Sequence, residues 1–149
     1  MRIFLVLAVL LLIMSCQVKP VPIEYGYDQC DACKMIISDQ RFGSELITTK
    51  GKVYKYDAIE CLLPELKKQG RDHYKYVLVS DYLNPGSLID YYNATFVVCK
   101  DIPSPMGGNL SAYSNFEDAG NQLKGLTGMI LGSGELIDKF NSSDLYSNR

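Results

Sequence analysis

The 149-residue chain has no tryptophan and a single histidine, although it carries five cysteines and five methionines. A histidine-rich metal cage is therefore excluded, and a histidine-based triad is open only if His73 is central. His73 sits in the polar stretch "GRDHYKY", the setting of an exposed residue rather than of a ligand or base. There is no G-x-S-x-G nucleophile turn, and "PSPMGGN" lacks the lysine of a phosphate loop. A formal net charge of −2 argues against a basic nucleic-acid binder, so no nucleic-acid partner is expected. Enzymatic readings are poorly supplied, and a non-enzymatic protein is expected.

The apolar run of residues 3–14 follows a single Arg2 and is too short for a membrane span, which needs about 20 residues. It matches the core of a signal peptide. Ile13, Ser15 and Cys16 then form the pattern of a bacterial lipoprotein signal, so residues 1–15 are expected to be removed and Cys16 to carry lipid. The mature protein would be held on a cell membrane, facing the periplasm. Gln17 after the cysteine favours the outer membrane by the sorting rule of some bacteria. Residues 16–26, with two prolines and no periodicity, read as a tether.

Beyond the tether, apolar patterning suggests an α+β protein of two similar ββαβ units, residues 27–87 and 88–149. "GSELITTKGKVYKY" reads as a hairpin turning at Lys50 and Gly51. "DAIECLLPELKKQG" reads as a helix with Asp57 and Glu60 as a capping box, Ile59, Leu62, Leu63 and Leu66 on one face, and Gly70 at its end. Pro64 is expected to kink or shorten it. "YKYVLVSDY" is a strand. In the second unit "LIDYYNATFVVCK" reads as a strand run. "NLSAYSNFEDAGNQLKG" reads as a helix with Ser114 as cap, Glu117 as its partner and Phe116, Ala119 and Leu123 on one face, and "GMILGSGELIDKF" as a strand and a polar turn. The halves superpose at an offset of 57 residues, Tyr56 lying over Tyr113.

Chemistry concentrates in "CDACKM". Cys30 and Cys33 could be half of a zinc site, but Cys61, Cys99 and His73 offer no second close pair. A thioredoxin-like pair should follow a core strand and open a helix, whereas this one follows a proline-bearing segment. A disulfide between them would close too small a ring to remove much chain entropy. Met35 changes the balance, because a thiolate with a nearby thioether suits Cu(I), a soft ion that prefers sulfur. In an extended segment Cys33 and Met35 would project to the same side. Met106, in "IPSPMGGNL", is a second candidate thioether on a loop flanked by proline and glycine, although methionines commonly fill cores. Cys61 and Cys99 read as small buried hydrophobes.

The stretch "CDACKMIISDQRFGSELITTKGKVYKYDAIECL", continued by "VSDY", "LIDYYNATFVV" and "PSPMGGNLSAYSNFEDA", resembles the NosL family of lipoproteins that assist copper-centre assembly in nitrous oxide reductase. The resemblance implies a duplicated strand-strand-helix-strand fold and Cu(I) bound through the C-x-x-C-x-M opening. Some members carry only its C-x-M part, which would map onto Cys33 and Met35. The expected protein is thus a membrane-anchored Cu(I) metallochaperone with Cys33, Met35, Met106 and Cys30 as ligands. Its partner would be a copper acceptor or a copper-assembly membrane complex. The rivals are a thiol-disulfide oxidoreductase using Cys30 and Cys33, and a structural lipoprotein pairing Cys30 with Cys33 and Cys61 with Cys99.

Overall fold

The computed structural model describes residues 17–141, so the signal segment and Cys16 lie outside the described residues. Strands β1 (Ser44–Thr48) and β2 (Val53–Tyr56) form the expected hairpin, with Gly51 at φ +86° in its turn. Helix α1 (Ile59–Gln69) follows, then a 3-10 turn (Arg71–His73) and β3 (Tyr74–Ser80). β4 (Leu88–Asp90), β5 (Thr95–Cys99) and β6 (Leu110–Tyr113) lead to α2 (Phe116–Gln122), β7 (Gly128–Gly132) and α3 (Ser133–Asn141). The sheets have the orders β2-β1-β3-β4 and β6-β5-β7, so each unit places its first strand in the middle with the second and third on either side. All pairings within them are antiparallel. The chain is thus an α+β fold built from a repeated ββαβ arrangement.

α1 forms where the apolar stripe places it. Ile59, Leu62, Leu63 and Leu66 are almost completely buried, in one core with Leu46 and Val79 of the first sheet and Phe96, Leu110 and Leu131 of the second. Truncating one of them, as in Leu62→Ala, is expected to cost about 2–5 kcal/mol. β5 alternates: Phe96 and Val98 face this core, while Val97 and Cys99 face a smaller cluster with Tyr113 and Ala119 beneath α2. Tyr82 N–H donates to Ala112 O (2.8 Å) and links the two sheets.

Several local expectations are corrected. Asp57 is not a cap: Ala58 occupies the N-cap position of α1 with no side-chain bond, and Glu60 turns away toward another loop. α1 runs through Pro64 for 11 residues without being shortened. The second helix is capped by Asn115, whose side chain accepts from Asp118 N–H at 2.9 Å, while Ser114 Oγ donates to Asp81. Phe116 is exposed, because α2 is only two turns long and buries Ala119 alone. The strand run after Gly86 splits at a turn around residues 91–93, so β4 edges the first sheet and β5 centres the second. The closing polar turn is instead α3, which buries Leu136.

The segment read as a tether is docked from Pro22 onward. Ile23 is buried, Tyr25 Oη meets Ser80 Oγ at 3.1 Å, and Pro22 O accepts from Lys55 Nζ at 2.8 Å. Gly43 admits this: a Cβ there would lie 2.6 Å from Tyr25 Oη. Hydrophobic burial of Ile23 and the fit of Tyr25 over a side-chain-free position outweigh the lack of periodicity that suggested a free chain.

Candidate metal centre

Residues 29–36 form a small closed loop against β2. Gln29 bridges Ile36, Cys30 N–H donates to Met35 O (2.8 Å), and Lys34 N–H donates to Cys30 O (3.0 Å). Asp31 fastens the loop to β2 by exchanging bonds with Lys55: its N–H donates to Lys55 O and its carboxylate accepts from Lys55 N–H, both at 2.8 Å. Lys34 takes φ +65°, a left-handed value that interrupts the extended alternation expected to put Cys33 and Met35 on one side. Cys33 is half-buried against the core, whereas Met35 is 52% exposed.

Cys30 is fully buried, and its sulfur accepts from Cys33 N–H at 3.4 Å. Cys61 enters from the first turn of α1. The sulfurs of Cys30, Cys33 and Cys61 all lie within 4.8 Å of one another. Three thiolates holding one d¹⁰ ion at about 2.3 Å each would stand about 4 Å apart, so a small closing movement suffices. The four described cysteines are free, and Cys61 and Cys99 belong to different hydrophobic clusters, which removes the pairing of those two as a staple.

Cys61 is buried with the core, as expected of a small hydrophobe, but it also edges the cleft, and its position on α1 carries the signal for that second role. At 100° per residue it falls on the far side of the helix from the stripe of Ile59, Leu62, Leu63 and Leu66. It shares that side with Glu60, Pro64 and Glu65. Those residues form one wall of an open cleft of about 620 Å³, which Asp31, Cys33, Tyr54 and Tyr56 also line. Met106 reaches the same cleft from the loop before β6, so the structure brings it together with Cys33 and Cys61 across the chain. Met35 is not among the lining residues, and His73 is exposed in its turn.

The three thiols are not equivalent. Burial works against ionising Cys30, but the N–H groups of Cys33, Asp57 and Ala32 and the Cys33 thiol together outweigh it, so its pKa falls below the usual thiol value. Burial pushes Cys33 and Cys61 up, and their proximity to Cys30 adds to the rise. Cys30 is therefore the thiol of the three that ionises most readily, and Cys33 and Cys61 beside it hold their protons more firmly. Such a set can neutralise one monovalent soft cation and release further protons as more sulfurs bind.

Fold and site together define a small α+β protein with a sulfur-rich, solvent-open centre on a duplicated frame. The chain belongs to the NosL family, whose sequence model matches residues 20–140. Among solved structures it is similar to the copper chaperone NosL from Shewanella denitrificans, with a TM-score of 0.64 and 22% identity, over 78% of this chain and 93% of that one. A search of curated proteins found no match.

Proposed function

We propose that this protein is a Cu(I) carrier rather than an enzyme, which holds the ion through the Cys30, Cys33 and Cys61 sulfurs and passes it to a partner. The observation that carries the reading is the convergence of three thiols within 4.8 Å, two of which, Cys33 and Cys61, line an open cleft that the Met106 thioether also lines. Thiolate and thioether donors select a soft monovalent ion over harder divalent ones. Family membership and the likeness to a copper chaperone support the same reading.

Exchange is the mechanism that suits this geometry. Cys30 is enclosed, while Cys33 is half-buried and the cleft is open on the side of Met106. An acceptor sulfur or imidazole can therefore approach the ion from the Met106 side before the buried thiolate lets go. Met35, at the exposed lip of the loop, is placed to engage an ion in transit or an incoming partner. Lipid on Cys16 would keep the carrier at the periplasmic face of a membrane near a copper-assembly complex, and the proposed recipient is nitrous oxide reductase. Because the chain is docked from Pro22, only about five residues separate the lipid from the folded body, a reach of roughly 12 Å for a flexible coil. The acceptor must then lie close to the bilayer.

The test is anaerobic titration of the reduced mature protein with Cu(I) in competition with a chromophoric chelator. One ion per chain, with thiolate charge-transfer absorption, is expected. Stoichiometric zinc bound more tightly than Cu(I), with all-sulfur ligation by X-ray absorption, would replace the carrier with a structural knuckle. Insulin reduction by the metal-free protein would favour the oxidoreductase.

A further inference from the structure

Glu60 is neither part of the apolar stripe of its own helix nor its N-cap. The apolar stripe of α1 is complete without it, and the N-cap residue is Ala58. Yet Glu60 as a whole is only 7% exposed, a costly placement for a carboxyl group that an apolar residue would avoid. It points into the loop that carries Met106. Glu60 Oε1 accepts a hydrogen bond from Ser104 Oγ, and Ser104 Oγ in turn accepts from Asn109 N–H at 2.9 Å. Gly107 N–H closes a turn onto Ser104 O at 3.0 Å. Both ends of the 104–109 segment thus meet at the Ser104 hydroxyl, which is itself fastened to Glu60. The backbone also lies against it, since a Cβ on Gly108 would come within 2.6 Å of Glu60 Cγ and Oε1. Gly107 (φ +75°) and Asn109 (φ +58°) bend the chain so that Met106 stands at the apex, over the cleft.

Glu60 directly precedes Cys61, so the helical turn that supplies one sulfur donor also grips the loop that presents another. We propose that Glu60, through Ser104, is a positioning residue that holds the Met106 thioether against the Cys33 and Cys61 side of the cleft. The proposal rests on the Cu(I)-carrier reading and adds to it a residue that touches no metal. It also explains the buried carboxylate: a loop with only its own turn bonds would leave Met106 free to swing, whereas one bonded to the first turn of α1 moves with Cys61.

The experiment uses the mature protein with methyl-¹³C methionine, comparing wild type with Glu60→Ala, Glu60→Gln, Ser104→Ala, Met106→Leu and Glu60→Ala/Met106→Leu. In the metal-free protein the Met106 methyl signal, assigned by its loss in Met106→Leu, should move to the position of a freely rotating methionine in Glu60→Ala. It should stay in place in Glu60→Gln, whose amide oxygen can still accept from Ser104. Cu(I) affinity should fall about 10–100-fold in Glu60→Ala, as for the loss of other outer partners of metal ligands. It should fall no further when Glu60→Ala is added to Met106→Leu. Losses that multiply in the double variant, or an unmoved methyl signal with normal Cu(I) binding by wild type, would overturn the positioning role alone. A wild type that binds no Cu(I) overturns the carrier reading and the donor role of Met106 with it. Should Glu60→Ala fail to fold, Ser104→Ala removes only a hydroxyl and must give the same methyl shift and affinity loss.

Discussion

Glu45 offers the most quantitative check on the structure. It lies on the central strand of the first sheet with no exposed surface, and neither carboxylate oxygen makes a hydrogen bond of normal geometry. The nearest cation is already engaged, since Lys55 Nζ, one strand away, donates to Asp28 Oδ2 at 2.7 Å and to Pro22 O. Burial therefore dominates, only partly offset by the Lys55 charge and the Val21 N–H, and the Glu45 pKa rises to about 7 from an ordinary 4.5. The folded state holds its proton where the unfolded chain has lost it, so this group's contribution to stability declines as pH rises from about 4.5 to about 7 and is then constant. At 1.36 kcal/mol per pH unit, the decline between pH 5 and pH 8 comes to about 2.5 kcal/mol.

Glu45→Gln removes the titration while keeping the shape. Its stability relative to wild type should rise by about 2.5 kcal/mol between pH 5 and pH 8, measured by urea unfolding of the reduced, metal-free protein. With no tryptophan in the chain, far-UV circular dichroism is the suitable probe. Using the difference between the two proteins cancels the raised Asp57 and Glu60 and the lowered Asp28 and Asp39. A difference that stays flat within about 0.5 kcal/mol over this range would refute the burial argument, and with it the docking of residues 22–25 over this strand.

Three further outcomes are expected. Cys61→Ala should lower Cu(I) affinity at least tenfold, read by chelator competition. Cys61→Ser, which nearly keeps the volume of this buried side chain, should show the same loss and so separate it from the cost of a small cavity. Met106→Leu keeps volume and should alter stability by less than about 1.5 kcal/mol, yet weaken Cu(I) binding; equal affinity would return Met106 to the ordinary methionines that pack. Cys16→Ser should abolish incorporation of labelled palmitate without affecting copper stoichiometry, and absence of label in the wild type would refute the lipid anchor.

What could be read beforehand depended on whether local pattern and tertiary packing agreed. The β1–β2 hairpin and α1 were legible because turn chemistry at Gly51 and the stripe from Ile59 to Leu66 point to the same answer as the core. Cys30, Cys33 and Met106 were legible as sulfur in unusual company. The capping boxes failed because Glu60 has a tertiary partner in Ser104, and Ser114 one in Asp81, that no local rule contains. α3 was hidden by Gly134 and by its few apolar residues, and it becomes stable where Leu136 reaches the shared core. Cys61 was legible as a buried residue but not as part of the sulfur cluster, because only its angular position on α1 separates it from the leucines it is buried with.

The duplicated frame shows why one half bears the centre. At the 57-residue offset, Ala58 corresponds to Asn115, and the two take nearly the same backbone angles, φ −153° with ψ 164° and 167°. In the second unit the Asn115 side chain caps its helix by accepting from Asp118 N–H, and the residue there, Asp118, corresponds to Cys61. Asp118 also accepts from Asn115 Nδ2, which closes that terminus on itself. In the first unit Ala58 offers no cap. The Asp57 N–H just before the helix instead acts on the Cys30 sulfur and helps lower its pKa. The same backbone geometry thus serves two ends: with asparagine and aspartate it completes a helix, and with alanine and cysteine it leaves the terminus to a sulfur cluster. Restoring the cap by Ala58→Asn would place a competing polar group at a site with no exposed surface. The cost would fall on the thiol cluster as well as on the packing of α1.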